Sequence, residues 1–364
     1  MQPRPDPRAQ RTTGRGSVAN VANRFERIAV EPEDDGWTPD DDPVAPLETT
    51  VTPEVTKRVI TTNASPDVGM ERTINPYKGC EHGCAYCFAR PTHSYLGLSP
   101  GLDFETKIFS KPDAPALLRK ELARPGYVAK VIVMGANTDA YQPAEKKLRI
   151  TRALLEVLAE FKQPVGILTK SALVLRDLDL LAPMAAEGLA SVSLSITTLD
   201  RSLARAMEPR AAAPERRVDA LRGLSEAGIP TGVLAAPMIP GLNDHELEKI
   251  LEAAAGAGAR RAGYVLLRLP HELKELFTGW LEARYPARAA KVLALLRGTR
   301  GGALYDSGYF TRQRGEGPLA DLLARRFEVA CRRFGLSDAY MPLDGSKFQV
   351  PFRPHPAAQG SLFP

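Results

Sequence analysis

Short runs of aliphatic and β-branched residues recur along the middle of the chain, and stretches with helical spacing separate them. The runs cover residues 130–134, 165–169, 190–196, 231–235 and 263–267. Strands that alternate with helices about every thirty residues predict parallel β-α-β units. With one more strand expected before residue 80, the pattern predicts six parallel strands. Alternation alone allows either an open (β/α)6 barrel or a doubly wound sheet.

The stretch between the first two runs shows the helical pattern clearly. Its apolar residues fall on one face of a helix and comprise Leu148, Ile150, Leu154, Leu155, Leu158 and Phe161. The run 190–196 instead alternates, with Ser193 and Ser195 on one face of a strand and apolar residues on the other. A polar face on a buried strand needs hydrogen-bond partners, which a bound ligand or water would provide.

The two ends of the chain differ from this central part. Residues 1–68 begin basic and rich in Pro and Gly and continue strongly acidic, so most of this extension is predicted to be disordered. Within it, the β-branched stretch 47–63 is expected to form an extended strand against the core. Residues 69–285 form the predicted α/β core, and residues 286–345 a C-terminal helical cap. The Pro-rich residues 346–364 are predicted to be a flexible tail.

Composition narrows the class of protein without identifying a partner. Hydrophobic residues make up 44% of the 364 residues and charged residues 25%, which is typical of a soluble globular protein. The formal net charge of +5 is compatible with an anionic partner but does not establish one. The chain has neither an apolar run long enough to span a bilayer nor a hydrophobic signal core near its first residues. We therefore expect a cytoplasmic protein with no membrane partner.

Three of the four cysteines lie close together, in the segment NPYKGCEHGCAYCFAR. Cys80, Cys84 and Cys87 have the spacing CX3CX2C, which places three thiolates on one short loop. Four cysteine thiolates ordinarily saturate a [4Fe–4S] cluster, so three local ligands would leave one iron with an open, reactive position. Zinc is an alternative, with His82 or His93 as an added ligand, although a second cysteine knuckle is absent. The cysteine content is cytosolic and disfavours a disulfide framework.

The cysteine segment, with the aromatic Tyr86 directly before its last cysteine, resembles the cluster loop of the radical S-adenosylmethionine (SAM) enzymes. Over roughly residues 70 to 340, the chain resembles the branch around spore photoproduct lyase, the DNA repair photolyase-like proteins. The resemblance implies a partial (β/α)6 barrel, a [4Fe–4S] cluster on the three cysteines and SAM at the open iron. It also implies reductive cleavage of SAM to a 5′-deoxyadenosyl radical that abstracts hydrogen. DNA or another nucleic acid is the preferred substrate, and flavodoxin or ferredoxin an expected electron donor.

Polar residues at the carboxyl ends of the strands are candidates for binding SAM, because ligands gather there in parallel α/β proteins. After the second strand, the superfamily often has Gly-Gly-Glu, which receives the amino group of SAM. This chain has Gly135 but lacks that glutamate, and Asn137, Thr138 and Asp139 are its nearest polar substitutes. Asp139 is equally well interpreted as an N-cap of the following helix.

Further SAM contacts are expected from Tyr86, Lys170, Ser195 and Arg210. Lys170 closes the third strand, at a position similar to one that photoproduct lyases use, where its ammonium would neutralise the SAM carboxylate. Ser195 would reach the ribose hydroxyls, and Arg210 would bind a carboxylate or phosphate bidentately. The alternative interpretations are a surface lysine, a core serine and an ordinary loop arginine.

The segment QGSLF near the C-terminus resembles the short peptide by which bacterial proteins bind the replication sliding clamp. Gln359 would supply an amide for hydrogen bonds, while Leu362 and Phe363 would anchor the peptide in an apolar pocket. A disordered tether suits this mode of binding. The sliding clamp is therefore an expected partner, and its binding would place the protein on DNA.

One departure limits what the resemblance transfers. Photoproduct lyase chemistry uses a further cysteine as hydrogen-atom donor, and this chain has none between Cys87 and Cys331. Cys331 is expected to be a buried helix residue. Tyr305 and Tyr309 are either radical relays, substrate contacts or packing residues. The alternatives to a nucleic-acid-modifying radical enzyme are one that modifies a protein or small molecule, and a non-catalytic iron–sulfur protein associated with DNA or the clamp.

Overall fold

Two sheets organise the computed structural model, which describes residues 14–26, 47–339 and 342–351. The strands are β1 (Thr50–Pro53), β2 (Thr61–Thr62), β3 (Arg72–Ile74), β4 (Tyr77–Lys78), β5 (Lys107–Ser110), β6 (Ile132–Met134), β7 (Val165–Thr169), β8 (Ala190–Ser195), β9 (Thr231–Met238) and β10 (Arg261–Leu266). The smaller sheet has the order β1-β5-β4. The larger sheet has the order β10-β9-β8-β7-β6-β3-β2 and contains the predicted strands.

Six strands of the larger sheet are parallel, and β2 at its edge is antiparallel to β3. The predicted strand count is therefore confirmed, and each of the five hydrophobic runs overlaps one strand. The six parallel strands lie side by side in the order in which they occur along the chain, whereas a doubly wound sheet has its first strand in the middle. The fold is the open partial barrel, with β10 and β2 at its two edges.

Helices connect these strands and pack on the sheet. They are α1 (Asp103–Thr106), α2 (Ala114–Leu122), α3 (Glu145–Leu148), α4 (Ile150–Glu160), α5 (Leu178–Ala186), α6 (Arg201–Met207), α7 (Pro214–Glu226), α8 (Leu247–Gly256), α9 (Leu273–Arg284), α10 (Pro286–Gly298), α11 (Thr311–Arg314) and α12 (Pro318–Phe334). The 3-10 helices cover Arg90–Leu96, Ala172–Asp177, Asp244–Glu246 and Gly345–Lys347. Among the residues described, no helix is both long and apolar enough to cross a membrane.

A break interrupts the apolar helical face predicted between β6 and β7. Leu154, Leu155 and Leu158 on α4 are buried, as expected. Arg149 has a left-handed backbone with φ of 54°, which ends α3 and begins α4 in a new direction. Leu148 therefore leaves the common face, and 40% of it is exposed.

The helices after the last strand close one side of the core. Helix α12 packs against α8, and Phe327 on α12 meets Tyr264 on β10 with ring centroids 4.8 Å apart. Cys331, on the same helix, is buried, as the sequence predicts.

The tail predicted from residue 346 begins against the core. The ring of Phe348 lies 5.2 Å from that of Tyr127, and Gln349 N donates to Phe161 O over 3.0 Å. The aromatic side chain of Phe348 makes this contact. The sliding-clamp peptide with Gln359, Leu362 and Phe363 lies outside the described residues.

Part of the N-terminal extension, predicted to be mostly disordered, also packs on the core. The stretch 47–63, expected to be one extended strand, contains two short strands: β1 pairs in parallel with β5, and β2 joins the larger sheet. Residues 14–26 lie over the cysteine segment, where Arg15, Gly16 and Ser17 are buried. Residues 1–13 and 27–46 lie outside the described part of the chain.

Asp67, in the loop between β2 and β3, connects the two edges of the open sheet. Its carboxylate accepts hydrogen bonds from Arg312 Nε at 2.7 Å and from Phe310 N at 3.1 Å. Arg312 belongs to α11, which packs against β10 at the opposite edge. The hydrogen bond from Arg312 lowers the pKa of Asp67 below its ordinary value, so the pair stays charged at neutral pH.

Candidate active site

The three cysteines of the CX3CX2C segment line one cavity of about 840 Å³, which extends along the parallel strands from their amino ends to their carboxyl ends. Turn hydrogen bonds shape their loop, from Gly83 N to Cys80 O and from Cys87 N to Cys84 O. All three are free thiols. Burial raises the pKa of Cys80 well above its ordinary value and that of Cys84 to about 12. Binding of a metal would displace these protons, since thiolates are the metal-binding form.

The donor set fits an iron–sulfur cubane. Three free thiols on one loop face a shared cavity that has room for a further ligand. Within the part of the chain that the structure describes, no three His, Cys, Asp or Glu side chains converge on a single-ion site. A cubane does not require such convergence, because each cysteine binds a different iron.

A buried network holds Tyr86 beside the cysteines. The Tyr86 hydroxyl hydrogen-bonds to Glu208 and lies 3.0 Å from Thr197 Oγ1. Glu208 also forms a buried ion pair with Arg217 on α7. Burial would raise the pKa of Glu208, but Arg217 and Lys170 hold it to about 2. The carboxylate is therefore charged and fully partnered.

The sequence pattern does not reveal Glu208 and Arg217 as functional residues. Charged residues are seldom fully buried unless they are paired, and the sequence does not show this pairing. The run MEPR at the end of α6 is the one local signal, and it points to Arg210 instead.

Asp139 is a brace between the cysteine loop and two strand ends. Its carboxylate accepts hydrogen bonds from Thr169 Oγ1 and from Lys170 N, each at 2.7 Å. It also accepts from Tyr141 N at 2.8 Å, the local turn contact expected of a capping residue. His82 Nδ1, from the cysteine loop, lies 3.4 Å from the same carboxylate.

The residues after β6 are placed differently from one another. Asn137 lines the cavity, and its backbone N donates to Asn75 Oδ1 over 3.1 Å. Thr138 is buried and donates through Oγ1 to Tyr77 O over 2.7 Å, so its hydroxyl serves the neighbouring strand. The structure brings Asn137, but not Thr138, to the cavity.

Lys170 and Ser195 meet at the wall of the cavity. Lys170 Nζ donates to Ser195 Oγ over 3.0 Å and lies 5.8 Å from the centre of the Tyr86 ring. Ser191, Ser193 and Ser195 all line the cavity, whereas Val192 and Leu194 belong to the hydrophobic core. The predicted alternation of polar and apolar faces along β8 is confirmed.

Arg210 lies behind the cysteine loop. Its guanidinium pairs with Glu81 over 3.1 Å, and its backbone N donates to His82 O over 3.3 Å. It is absent from the described residues that line the cavity. The sequence could place Arg210 after β8 but could not reveal the acidic partner within the cysteine segment.

An arginine-rich wall faces this site from the β10 side of the cavity. Arginine side chains form this wall, namely those of Arg261, Arg268, Arg312 and Arg314. The guanidinium carbon of Arg314 lies 4.1 Å from the centre of the Tyr264 ring, and that of Arg268 lies 5.2 Å from the centre of the Phe88 ring. Arg268 Nε and the Tyr264 hydroxyl oxygen are buried atoms without a hydrogen-bond partner among the described residues. Tyr305 and Tyr309 do not line this cavity.

Comparisons with known proteins agree with this arrangement. The sequence model of the Radical SAM superfamily matches residues 74–254. An uncharacterised protein of Mycobacterium tuberculosis is 37% identical over 227 residues, which are 62% of this chain and 67% of the relative. One of Methanocaldococcus jannaschii is 33% identical over 178 residues, 49% of this chain and 64% of the relative. The solved structure of spore photoproduct lyase with dinucleoside spore photoproduct superposes with a TM-score of 0.55 at 18% identity, covering 79% of this chain and 80% of that one.

Proposed function

The chain belongs to the radical SAM superfamily, whose members use a [4Fe–4S] cluster and SAM, and we propose that it abstracts hydrogen from a nucleic-acid substrate. The cluster, when bound, supplies the electron that cleaves SAM and releases a 5′-deoxyadenosyl radical. Cys80, Cys84 and Cys87 would hold it at the cavity wall. The contribution of the protein is to orient SAM and substrate and to exclude water.

Lys170 and Ser195 are the residues we assign to SAM. The Lys170 ammonium is half-buried and points to the cavity, where it would bind the SAM carboxylate. Ser195 Oγ would exchange its bond with Lys170 for a ribose hydroxyl. Asn137 is the polar side chain available for the amino group, and the Tyr86 ring forms part of the same wall.

The arginine-rich wall carries the proposal of a nucleic-acid substrate. Guanidinium groups bind phosphate through paired hydrogen bonds, and the exposed ring of Phe88 beside Arg268 offers a stacking surface for a base. Arg268 Nε is a buried polar atom in this wall that a ligand could satisfy. The solved spore photoproduct lyase, which shares the fold, is complexed with dinucleoside spore photoproduct, and this supports the same substrate class here.

The reaction of photoproduct lyase itself is not part of the proposal. The hydrogen-donating cysteine expected for that chemistry has no counterpart, since Cys331 is buried on α12 and does not line the cavity. We propose nucleic-acid modification by hydrogen abstraction and leave the fate of the substrate radical open to product analysis.

The test is anaerobic reconstitution with iron and sulfide, followed by dithionite, SAM and quantification of 5′-deoxyadenosine. Intact and ultraviolet-irradiated oligonucleotides are added in parallel. We expect oligonucleotide to raise the yield above the uncoupled background, and the variant with all three cluster cysteines changed to Ala to give none. A yield that no oligonucleotide changes would overturn the nucleic-acid proposal.

Two partners complete the proposal. Flavodoxin or ferredoxin would supply the electron in place of dithionite, which can be tested by substituting the reduced donor in the same assay. The sliding clamp would bind through Gln359, Leu362 and Phe363. Changing Leu362 and Phe363 to Ala should abolish clamp binding in a pull-down with the full chain, and unchanged binding would exclude this peptide as the contact.

A further inference from the structure

Residues 14–26 form a strap that lies directly on the cysteine loop. The backbone N–H groups of Gly16 and Ser17 donate to the two carboxylate oxygens of Glu105, over 3.0 and 2.7 Å. Arg15 adds a hydrogen bond from Nη1 to Glu105 O over 3.2 Å. Glu105 is fully buried on α1, and its carboxylate is partnered by these donors and by Arg90.

Arg90 carries this contact to the cluster ligands. It forms a buried ion pair with Glu105 and donates from Nε to Cys84 O over 2.9 Å. Glu105 is thus separated from the backbone of a cluster cysteine by one side chain. The strap, Glu105, Arg90 and Cys84 form a continuous hydrogen-bonded chain through the protein interior.

Gly16 sits where only a glycine fits. A Cβ atom built on Gly16 would lie 1.5 Å from Gly83 O, in the loop between Cys80 and Cys84. A contact that short with a backbone atom requires the strap or the cysteine loop to move. The strap and the cluster loop are therefore packed backbone to backbone.

The far end of the strap is held as well. Arg24 pairs with Glu272, which precedes α9, over 2.8 Å. Ser99 Oγ donates to Val21 O over 2.7 Å. The strap consequently spans from the cysteine loop to the C-terminal helices and has attachments at both ends.

We propose that the strap, residues 14–26, fixes the cysteine loop in its cluster-binding shape and covers it against solvent. Glu105 is the positioning residue through which the strap acts. The inference rests on the cluster used in the proposed function and concerns retention of that cluster, not the substrate. Removal of hydrogen-bonded partners behind metal ligands typically lowers metal affinity about 10- to 100-fold.

The test compares Gly16→Ala and Glu105→Gln with the wild type in the full chain. Gly298→Ala is the matched control, because a Cβ there meets no atom within 4 Å. The first readout is limited trypsin digestion of the protein without metal, which reports whether the bond after the buried Arg15 becomes accessible. The second is the rate of iron transfer from the reconstituted protein to a chelator.

We expect Gly16→Ala to expose the Arg15 cleavage site and both variants to lose iron about tenfold faster, with the control unchanged. Equal digestion of Gly16→Ala and wild type would overturn the strap contact. If trypsin cleaves the strap of a variant but the reconstituted variant retains iron normally, the proposed role of the strap in cluster retention would be overturned. Neither readout uses SAM or substrate. A negative result here therefore leaves the proposed function unaffected, and a negative turnover assay leaves the proposed role of the strap unaffected.

Discussion

Lys170 Nζ lies 3.0 Å from Ser195 Oγ, although the two residues close different strands of the sheet. Ser195 Oγ in turn lies 3.2 Å from Ala236 O, to which it donates. The hydrogen-bond partner of the Lys170 side chain at the cavity is therefore a neutral hydroxyl and not a carboxylate. Such an arrangement suits the binding of an anionic group of a ligand.

Replacement of Lys170 by Met should weaken SAM binding by about 10- to 100-fold, because a hydrogen bond to a charged group contributes about 1.5–3 kcal/mol. Equilibrium binding of SAM to the anaerobically reconstituted protein measures the effect. Lys130→Met is the control, since Lys130 pairs with Glu71 at the exposed surface. Equal affinities for the two variants would exclude Lys170 from the SAM site.

Single changes of Cys80, Cys84 or Cys87 to Ala should each abolish a stable cluster, because each would remove one of three protein ligands. Iron content and the visible absorption of the reconstituted protein provide the measurement. Cys331→Ala should leave both unchanged, as Cys331 is buried on α12 away from the cavity. Loss of iron in Cys331→Ala would contradict the assignment of ligands.

Glu208→Gln should lower the free energy of unfolding by about 3 kcal/mol, because it leaves the buried Arg217 without its counter-charge. Denaturant unfolding of the protein without metal gives the value. The control Glu215→Gln breaks a solvent-exposed pair with Arg201 and should cost at most about 1 kcal/mol. A small effect for Glu208→Gln would show that the buried pair is dispensable for folding.

Arg268→Gln and Arg314→Gln should weaken oligonucleotide binding and reduce its salt dependence. Removing one phosphate-binding side chain lowers the slope of log affinity against log salt by about 1. Fluorescence anisotropy across a salt series measures both the affinity and the slope. Arg222→Gln, an exposed residue paired with Asp219, is the control. Slopes that match the wild type would remove these arginines from the nucleic-acid site.

The strands and the cluster loop could be predicted because their signals are local. A β-branched run identifies its own strand, and the period of two along β8 places Ser193 and Ser195 on the cavity side. The prediction for Leu148 is wrong because the left-handed backbone of Arg149 interrupts a helix that propensity alone would continue.

The supporting contacts could not be predicted because their partners are distant in sequence. Gly16 and Glu105 are 89 positions apart, and no local sequence pattern at either residue indicates that they are in contact. Arg210 and Glu81 show the same limitation, since their pairing depends on how the cysteine loop folds over α6. Burial of a charge is a property of the assembled fold, which a single sequence does not display.

The bond between Asp67 and Arg312 has a consequence for the size of what can enter. These residues lie on opposite edges of the open sheet and both line the cavity. A ligand no larger than the cavity can be enclosed while the pair stays joined. A polymer that passes between the two edges has to separate them first, so entry of a long strand is coupled to breaking this ion pair and the hydrogen bonds that Phe310 N and Gln313 Nε2 donate to Asp67.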